Sequence, residues 1–372
     1  MRPTVAVVDL GAIRFNLNQV IQKVKPAGVM AVVKANAYGH GMADVARTAL
    51  DAGADYLAVA LLEEGIELRE TGIDYPTLVF GGFFRDQAEF FVRHNLDATL
   101  YSLENAKALA KAVKLLGKPA NVHIKIDTGM GRVGVPWEEA APFVQKVLQI
   151  PEIRIMGVYT HFATSDEKDK SFANLQLQRF KVALKNIESL GFKVPIRHAA
   201  NSGAILDMPE SYFDMVRPGI MMYGYYPSFD TTESVLLKPA MSFLSKVLYV
   251  KEVEEGTTVS YGRQYTAPQK TTIVTIPVGY ADGYNRLLTN QGEVLINGRK
   301  YRVAGRVCMD QIMVDVGLGG GVKVGDEVVL FGRTEKGEVP VYDICRKLNT
   351  IPYEVTCWVS KRVPRIYVNA KE

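Results

Sequence analysis

Over its first 220 or so residues the chain alternates short apolar runs with helical stretches, and it does so eight times. The runs are 28–33, 56–60, 76–80, 97–100, 121–126, 153–159, 196–199 and 215–217. Between them, residues 42–52, 62–70, 86–94, 103–116, 136–149 and 171–190 carry apolar side chains at helical spacing, with glycine stops at Gly53, Gly72, Gly117 and Gly191. A further helix is predicted over 9–24, with Leu10, Ile13, Leu17, Val20, Ile21 and Val24 on one stripe, and a short one around 202–207. Runs such as 29–33 are apolar at consecutive positions, as expected of parallel strands covered on both faces. A doubly wound sheet produces the same rhythm, but no Gly-x-Gly-x-x-Gly follows the first run. Eight units point to an α/β fold with an N-terminal (β/α)8 TIM-type barrel.

After Pro239 the texture changes. Helical patterns nearly vanish, and short strands separated by turns such as Asn297-Gly298 and Gly319-Gly320-Gly321 take over, with 340–348 alone reading as helix. At 372 residues the chain is too long for one ordinary core. The expected domains are therefore a barrel over 1–239 and a C-terminal mainly-β domain over 240–372.

Composition narrows the function classes. A net charge of +4 without a basic block argues against nucleic acid. Cys308, Cys345 and Cys357 have neither disulfide-framework nor metal-ligand spacing, so no metal is expected and a reducing compartment fits. The apolar run before Asp9 is too short for a signal peptide, and no run has membrane-spanning length. Cytoplasm is the expected location, with no membrane partner.

In a barrel of this kind chemistry gathers where the strands end. Lys34 ends the first run. The fifth contains Lys125 and leaves through Asp127-Thr128-Gly129-Met130-Gly131-Arg132. The sixth leaves at Thr160-His161, the seventh at His198 to Ser202, and the eighth carries Arg217 before Pro218-Gly219-Ile220. Singly, each has a plain structural reading: a snorkelling lysine, a surface-paired arginine, a core histidine. Together they place several cations at one mouth and imply an anionic ligand. Ser202 with the amides of Gly219 and Ile220 suits a phosphate. A lysine beside a phosphate pocket suggests an imine with a phosphorylated aldehyde, pyridoxal 5'-phosphate. An aldolase-type Schiff base is the alternative on pattern alone. In the β domain, a tyrosine stripe is ordinarily core or interface. Tyr280 and Tyr284, however, are separated by Ala-Asp-Gly, a loop signal that points to a site.

Residues 33–41, 127–132, 217–220 with Tyr223-Gly224, 261–265, 308–310 and 362–365 resemble, in this order, the motifs of alanine racemases, and the resemblance runs over essentially the whole chain. It implies a pyridoxal-phosphate-binding barrel followed by a β domain, in a head-to-tail homodimer with shared active sites. The implied reaction interconverts L-alanine and D-alanine and supplies D-alanine for peptidoglycan. By resemblance Lys34 holds the cofactor, and Tyr265, delivered by the partner subunit, is the second base. Arg217 faces the pyridine nitrogen, with His161 supporting it. Tyr38, Ser202, Gly219, Ile220 and Tyr353 hold the phosphate. Arg132 serves the cofactor's phenolic oxygen and the substrate carboxylate, which Met309, beside Asp310, also meets. Tyr280 and Tyr284 line the entryway. Lys125 matches a lysine that is carbamylated in many members.

The chemistry agrees. Racemisation needs one base on each face of the α-carbon. A phenol titrating near 10 is a poor base at neutral pH, so cationic neighbours are expected around Tyr265, Arg263 among them. An always-charged arginine leaves the pyridine nitrogen unprotonated, which makes a weaker electron sink and limits transamination. Alternatives are a racemase of broader range, a barrel-type decarboxylase and a pyridoxal-phosphate carrier protein.

Overall fold

Parallel strands Gly28–Val32, Tyr56–Val59, Thr77–Val79, Asp97–Leu100, Ala120–Asp127, Ile153–Tyr159, Ile196–His198 and Met215–Val216 pair in that order. Asp97–Leu100 joins Ala120–Asp127, and Met215–Val216 returns to Gly28–Val32, so the sheet closes into a barrel. The closing register sets Met215 against Gly28 and Val216 against Val29. The second, third and fourth strands are buried at every position, which is why their sequences do not alternate. The computed structural model describes residues 2–370.

Helices follow the strands as the spacing predicts. Leu103–Leu116 is the clearest: Ser102 Oγ accepts from Asn105 N at 3.4 Å, and Gly117 ends it at φ +70°. One helix is shorter than its pattern. Val135–Pro136 pairs in parallel with Ile126 and Asp127, a single 3-10 turn follows, and the α-helix covers only Ala140–Val147.

The chain forms two compact units. One comprises Ala12–Ala37 and Met42–Lys238 and contains the barrel. The other comprises Met1–Gly11, Tyr38–Gly41 and Pro239–Glu372. Its main sheet runs Arg299–Arg302, Glu293–Ile296, Glu327–Thr334, Met241–Lys246, Val5–Asp9, Arg365–Val368. A second sheet holds Tyr249–Val253, Thr271–Ile276 and Ile312–Asp315. Val5–Asp9 pairs antiparallel with Met241–Lys246 (Ala6 opposite Phe243) and parallel with Arg365–Val368 (Val7 opposite Ile366). Both partners lie more than 200 residues away in sequence, so no local pattern announces this strand. Pro352–Trp358 is a second helix in this unit, where the sequence suggested one. Proline at its first position starts it, but seven residues are too few to show a clear stripe.

The small piece Tyr38–Gly41 is held tightly in the second unit. Arg365 donates to Gly39 O through Nε (3.0 Å) and Nη2 (2.9 Å), and also to the carbonyls of Val359, Ser360 and Val363. Gly39 has φ +85°, and a Cβ there would lie 2.2 Å from the backbone oxygen of Thr356. Gly39→Ala is therefore expected to destabilise the fold by about 3 kcal/mol or more, from steric overlap plus left-handed strain. The midpoint of urea unfolding checks this, and an unchanged midpoint would refute it.

Candidate active site

Lys34 directly follows the first barrel strand and its buried neighbour Val33, whose amide donates to Ala58 O at 2.8 Å. The backbone then does something uncommon. Ala35, Asn36, Ala37 and Tyr38 have φ of 52, 53, 53 and 52°, a full left-handed turn. For L-residues this costs about 1–2 kcal/mol each, roughly 4–8 kcal/mol together. Several bonds hold it. Ala35 N donates to Glu64 Oε1 (2.5 Å), Asn36 Oδ1 accepts from Met42 N (2.9 Å), and Ala37 N donates to Val33 O (2.8 Å). Glu64 also accepts from the amides of Ala60 and Leu61, which ties the turn after the first strand to the loop after the second. The sequence suggests only a loop here: asparagine tolerates this conformation, but alanine and tyrosine give no such signal.

Arg217 lies at the centre of the barrel mouth, 3 % exposed. Its Nη2 donates to Thr160 O and Ala199 O, both at 2.8 Å, and lies 3.4 Å from His161 Nδ1. Its Nη1 meets His198 Nδ1 at 2.9 Å, and the guanidinium sits 5.4 Å from the Tyr159 ring centroid. Burial lowers its pKa to about 10, so it stays charged at neutral pH. Lys125 is equally buried. Its Nζ has no hydrogen-bond partner and lies 4.6 Å over the Tyr159 ring. Burial, then the charges of Arg217 and Arg132, hold the Lys125 amine far below its ordinary pKa, with Asp127 opposing. Asp127 Oδ1 accepts from the amides of Gly129 (2.9 Å) and Gly131 (3.2 Å), shaping the turn that carries the exposed Arg132.

His161 reports the convergence. Burial, then the charges of Lys125, Arg217, Arg132 and Lys34, keep it far below the ordinary imidazole value, and no carboxylate offsets them. Nearby, buried Ser202 Oγ accepts from Gly219 N at 3.0 Å and Met221 N at 3.5 Å, with Ile220 fully buried between them. The barrel unit therefore brings Lys34, Lys125, Arg132, His161 and Arg217 together, with Ser202, Gly219 and Ile220 forming a polar cradle.

The second unit holds the remaining candidates. Tyr38 and Tyr353 place their ring centroids 5.8 Å apart, and Tyr353 lines an open groove of about 530 Å³ with Ile351 and Glu354. The 279–283 turn clasps 308–309: Tyr280 N donates to Cys308 O (3.0 Å) and Ala281 N to Met309 O (3.1 Å). Met309 is 51 % exposed and Tyr280 41 %, whereas Tyr284 turns inward at 2 % exposure. Asp310 pairs with Arg362 at 2.8 Å.

Tyr265 departs from expectation. Its hydroxyl donates to Asp315 Oδ2, and burial, that hydrogen bond and the carboxylate's charge push its pKa above the ordinary phenol value. Asp315 also accepts from Thr271 Oγ1 (2.5 Å) and Gly317 N (2.9 Å). Arg263 instead donates to Thr258 Oγ1 at 3.3 Å. Within one chain the partner of this phenol is an anion, from a strand fifty residues on. No spacing rule reveals such a partner.

The family model described as the alanine racemase N-terminal domain matches residues 8–227, and that of the C-terminal domain matches 240–367. This chain belongs to the alanine racemase family. It is 47 % identical over 369 residues to the alanine racemase of Desulforamulus reducens, covering 98 % of this chain and 99 % of that one. It is also 47 % identical to that of Carboxydothermus hydrogenoformans, over 99 % and 100 %. The structure superposes on alanine racemase of Clostridium difficile 630 with a TM-score of 0.95 at 42 % identity, over 98 % and 96 % of the two chains. Alanine racemase from Bacillus anthracis with bound L-Ala-P gives 0.92 at 36 %, over 99 % and 96 %.

In this member of the alanine racemase family, no helix among the described residues is long and apolar enough to cross a membrane, and no group of His, Cys, Asp or Glu could hold a metal. Burial, then Arg217 and His123, keeps fully buried His198 far below 6.5. The unfolded chain therefore binds a proton there below about pH 6.5 that the folded chain does not, and stability falls by about 1.4 kcal/mol for each unit that pH drops, from this group. The slope of unfolding free energy between about pH 6.5 and 5 is expected to flatten by that amount in His198→Gln. Equal slopes would show that His198 is not buried neutral.

Proposed function

We propose that this chain interconverts L-alanine and D-alanine with pyridoxal 5'-phosphate at the barrel mouth, as a homodimer with shared sites in the cytoplasm, supplying D-alanine for peptidoglycan. The supporting observation is the convergence of basic side chains on one point of the barrel mouth: Lys125, Arg217, Arg132 and Lys34 all act on buried His161. A phosphorylated, phenolic ligand neutralises such a cluster, so the residues fit the group. Lys34 would hold it covalently; Tyr38, Ser202, Gly219, Ile220 and Tyr353 would meet its phosphate, Arg132 its phenolic oxygen and Arg217 its ring nitrogen. When bound, the cofactor withdraws electrons from the substrate α-carbon and makes its hydrogen acidic.

The chain's own groups then handle the proton. Lys34 Nζ removes or returns it on one face, and Tyr265 Oη of the partner subunit does so on the other. Asp315 accepts a hydrogen bond from this phenol and favours its protonated form. Arg132 and the backbone of Met309 seat the substrate carboxylate, and exposed Tyr280 lines the entry. Arg217, unlike a carboxylate, would leave the ring nitrogen unprotonated, which favours a racemase over a decarboxylase.

Two measurements test the reading. The purified protein is expected to be yellow, to lose that band with borohydride, and to abolish the rotation of L-alanine without releasing carbon dioxide. Lys34→Ala should lose both band and activity, and Tyr265→Phe should lose about 10²- to 10⁴-fold in rate. A colourless, inactive protein after added pyridoxal phosphate would overturn the assignment. The second concerns Lys125. Its lowered pKa favours the unprotonated amine, which would add carbon dioxide, forming an N–C bond and releasing a proton, to give a carbamate that pairs with Arg132. Isotope-labelled bicarbonate should yield a carbamate NMR signal that Lys125→Ala removes; no signal would show an unmodified amine.

A further inference from the structure

Arg217 begins a buried polar line that this reaction leaves unused. Its Nη1 lies 2.9 Å from His198 Nδ1, and His198 Nε2 lies 2.9 Å from His123 Nδ1. His123 Nε2 faces Asp97 Oδ2 at 3.4 Å, and Tyr56 Oη donates to that same oxygen. The five side chains come from the eighth, seventh, fifth, fourth and second barrel strands, and each is at most 7 % exposed.

The direction of every proton follows from one fact. A guanidinium only donates. His198 Nδ1 must therefore accept, so His198 carries its hydrogen on Nε2 and donates it to His123. His123 Nδ1 must then accept, so its hydrogen is on Nε2 and points at Asp97. At 3.4 Å the last link is long for a hydrogen bond and acts mainly through charge. All the dipoles run from Arg217 toward Asp97, so each link polarises the next. Because arginine does not deprotonate, the line conducts no proton; it transmits orientation and charge. Arg69 also feels the charge of Asp97, but it donates to the carbonyls of Ile73, His94 and Asn95.

We propose that Asp97 is a positioning residue for Arg217. It is the distant anion of an extended ion pair that, through two neutral imidazoles, holds the guanidinium in place and damps the positive potential it presents to its ligand. The proposal rests on the cofactor reading, in which that ligand is the pyridine nitrogen. Without Asp97 the ring would face a stronger positive field and become a better electron sink, which favours transamination over racemisation.

Two experiments decide it. In the wild-type holoenzyme at neutral pH, nitrogen NMR of isotope-labelled histidine, assigned with His123→Gln and His198→Gln, should show both rings with hydrogen on Nε2 and none on Nδ1. A hydrogen on Nδ1 of either ring overturns the proposal, whether or not any variant folds. In Asp97→Asn, pyruvate formed per racemisation event should rise several-fold, the order of effect of removing a unit charge about 15 Å away at an effective dielectric near 20. Tyr56→Phe removes the other hydrogen bond to Asp97 but keeps its charge, so it should lower the melting temperature and leave the product ratio unchanged. If Asp97→Asn lowers stability with the ratio unmoved, Asp97 is merely structural and the proposal fails. Loss of the Nε2 pattern in cofactor-stripped protein also overturns it. Failure of the cofactor reading is seen separately, as a colourless protein whose two histidine tautomers can still be measured.

Discussion

A guanidinium buried to 3 % exposure with no carboxylate in ion-pair contact is the constraint on which the barrel mouth depends. An isolated buried charge is strongly unfavourable, and the protein answers it with dipoles: two carbonyls, one imidazole nitrogen and the face of Tyr159. Those groups come from the ends of the sixth and seventh strands and meet an arginine that follows the eighth, so the barrel's strand pairing collects them. Burial first, and then the charge of Arg217 among others, lowers the pKa of Lys125, His161 and His198. The mouth so formed suits an anion.

The left-handed turn after Lys34 serves the same site. Four consecutive non-glycine residues in that region persist only where surrounding bonds over-determine them, and Glu64 and Asn36 supply those bonds. The turn also marks the point where the chain passes from Ala37 in one unit to Tyr38 in the other. Lys34 is therefore placed by strain on one side and by a largely buried strand on the other.

Much of this was legible from residues alone. All eight strand positions follow from the repeating rhythm of short strands and helices, clearest at 29–33 and 57–60, where strands covered on both faces leave no polar alternation. Lys34, Arg132, His161, Ser202 and Arg217 were visible because barrel geometry puts strand ends together, so polar residues at those ends are candidates before any coordinates exist. What stayed hidden has a common cause. Val5–Asp9 pairs with segments from the other end of the chain, and the partner of Tyr265 is Asp315, where the pattern suggested Arg263. His123, Asp97 and Tyr56 sit within strands, where a polar residue looks like an interruption and not like a member of a line.

What the sequence determined by itself was the kind of fold, the family and the set of polar groups that end the strands, since periodicity and motif order are properties of neighbours along the chain. Tertiary structure alone decided which way those groups point, which protons they carry and which charges go unpaired. Those depend on distances between strands that are remote in sequence, and on burial, which turns a modest charge–charge separation into a shifted pKa or a fixed tautomer.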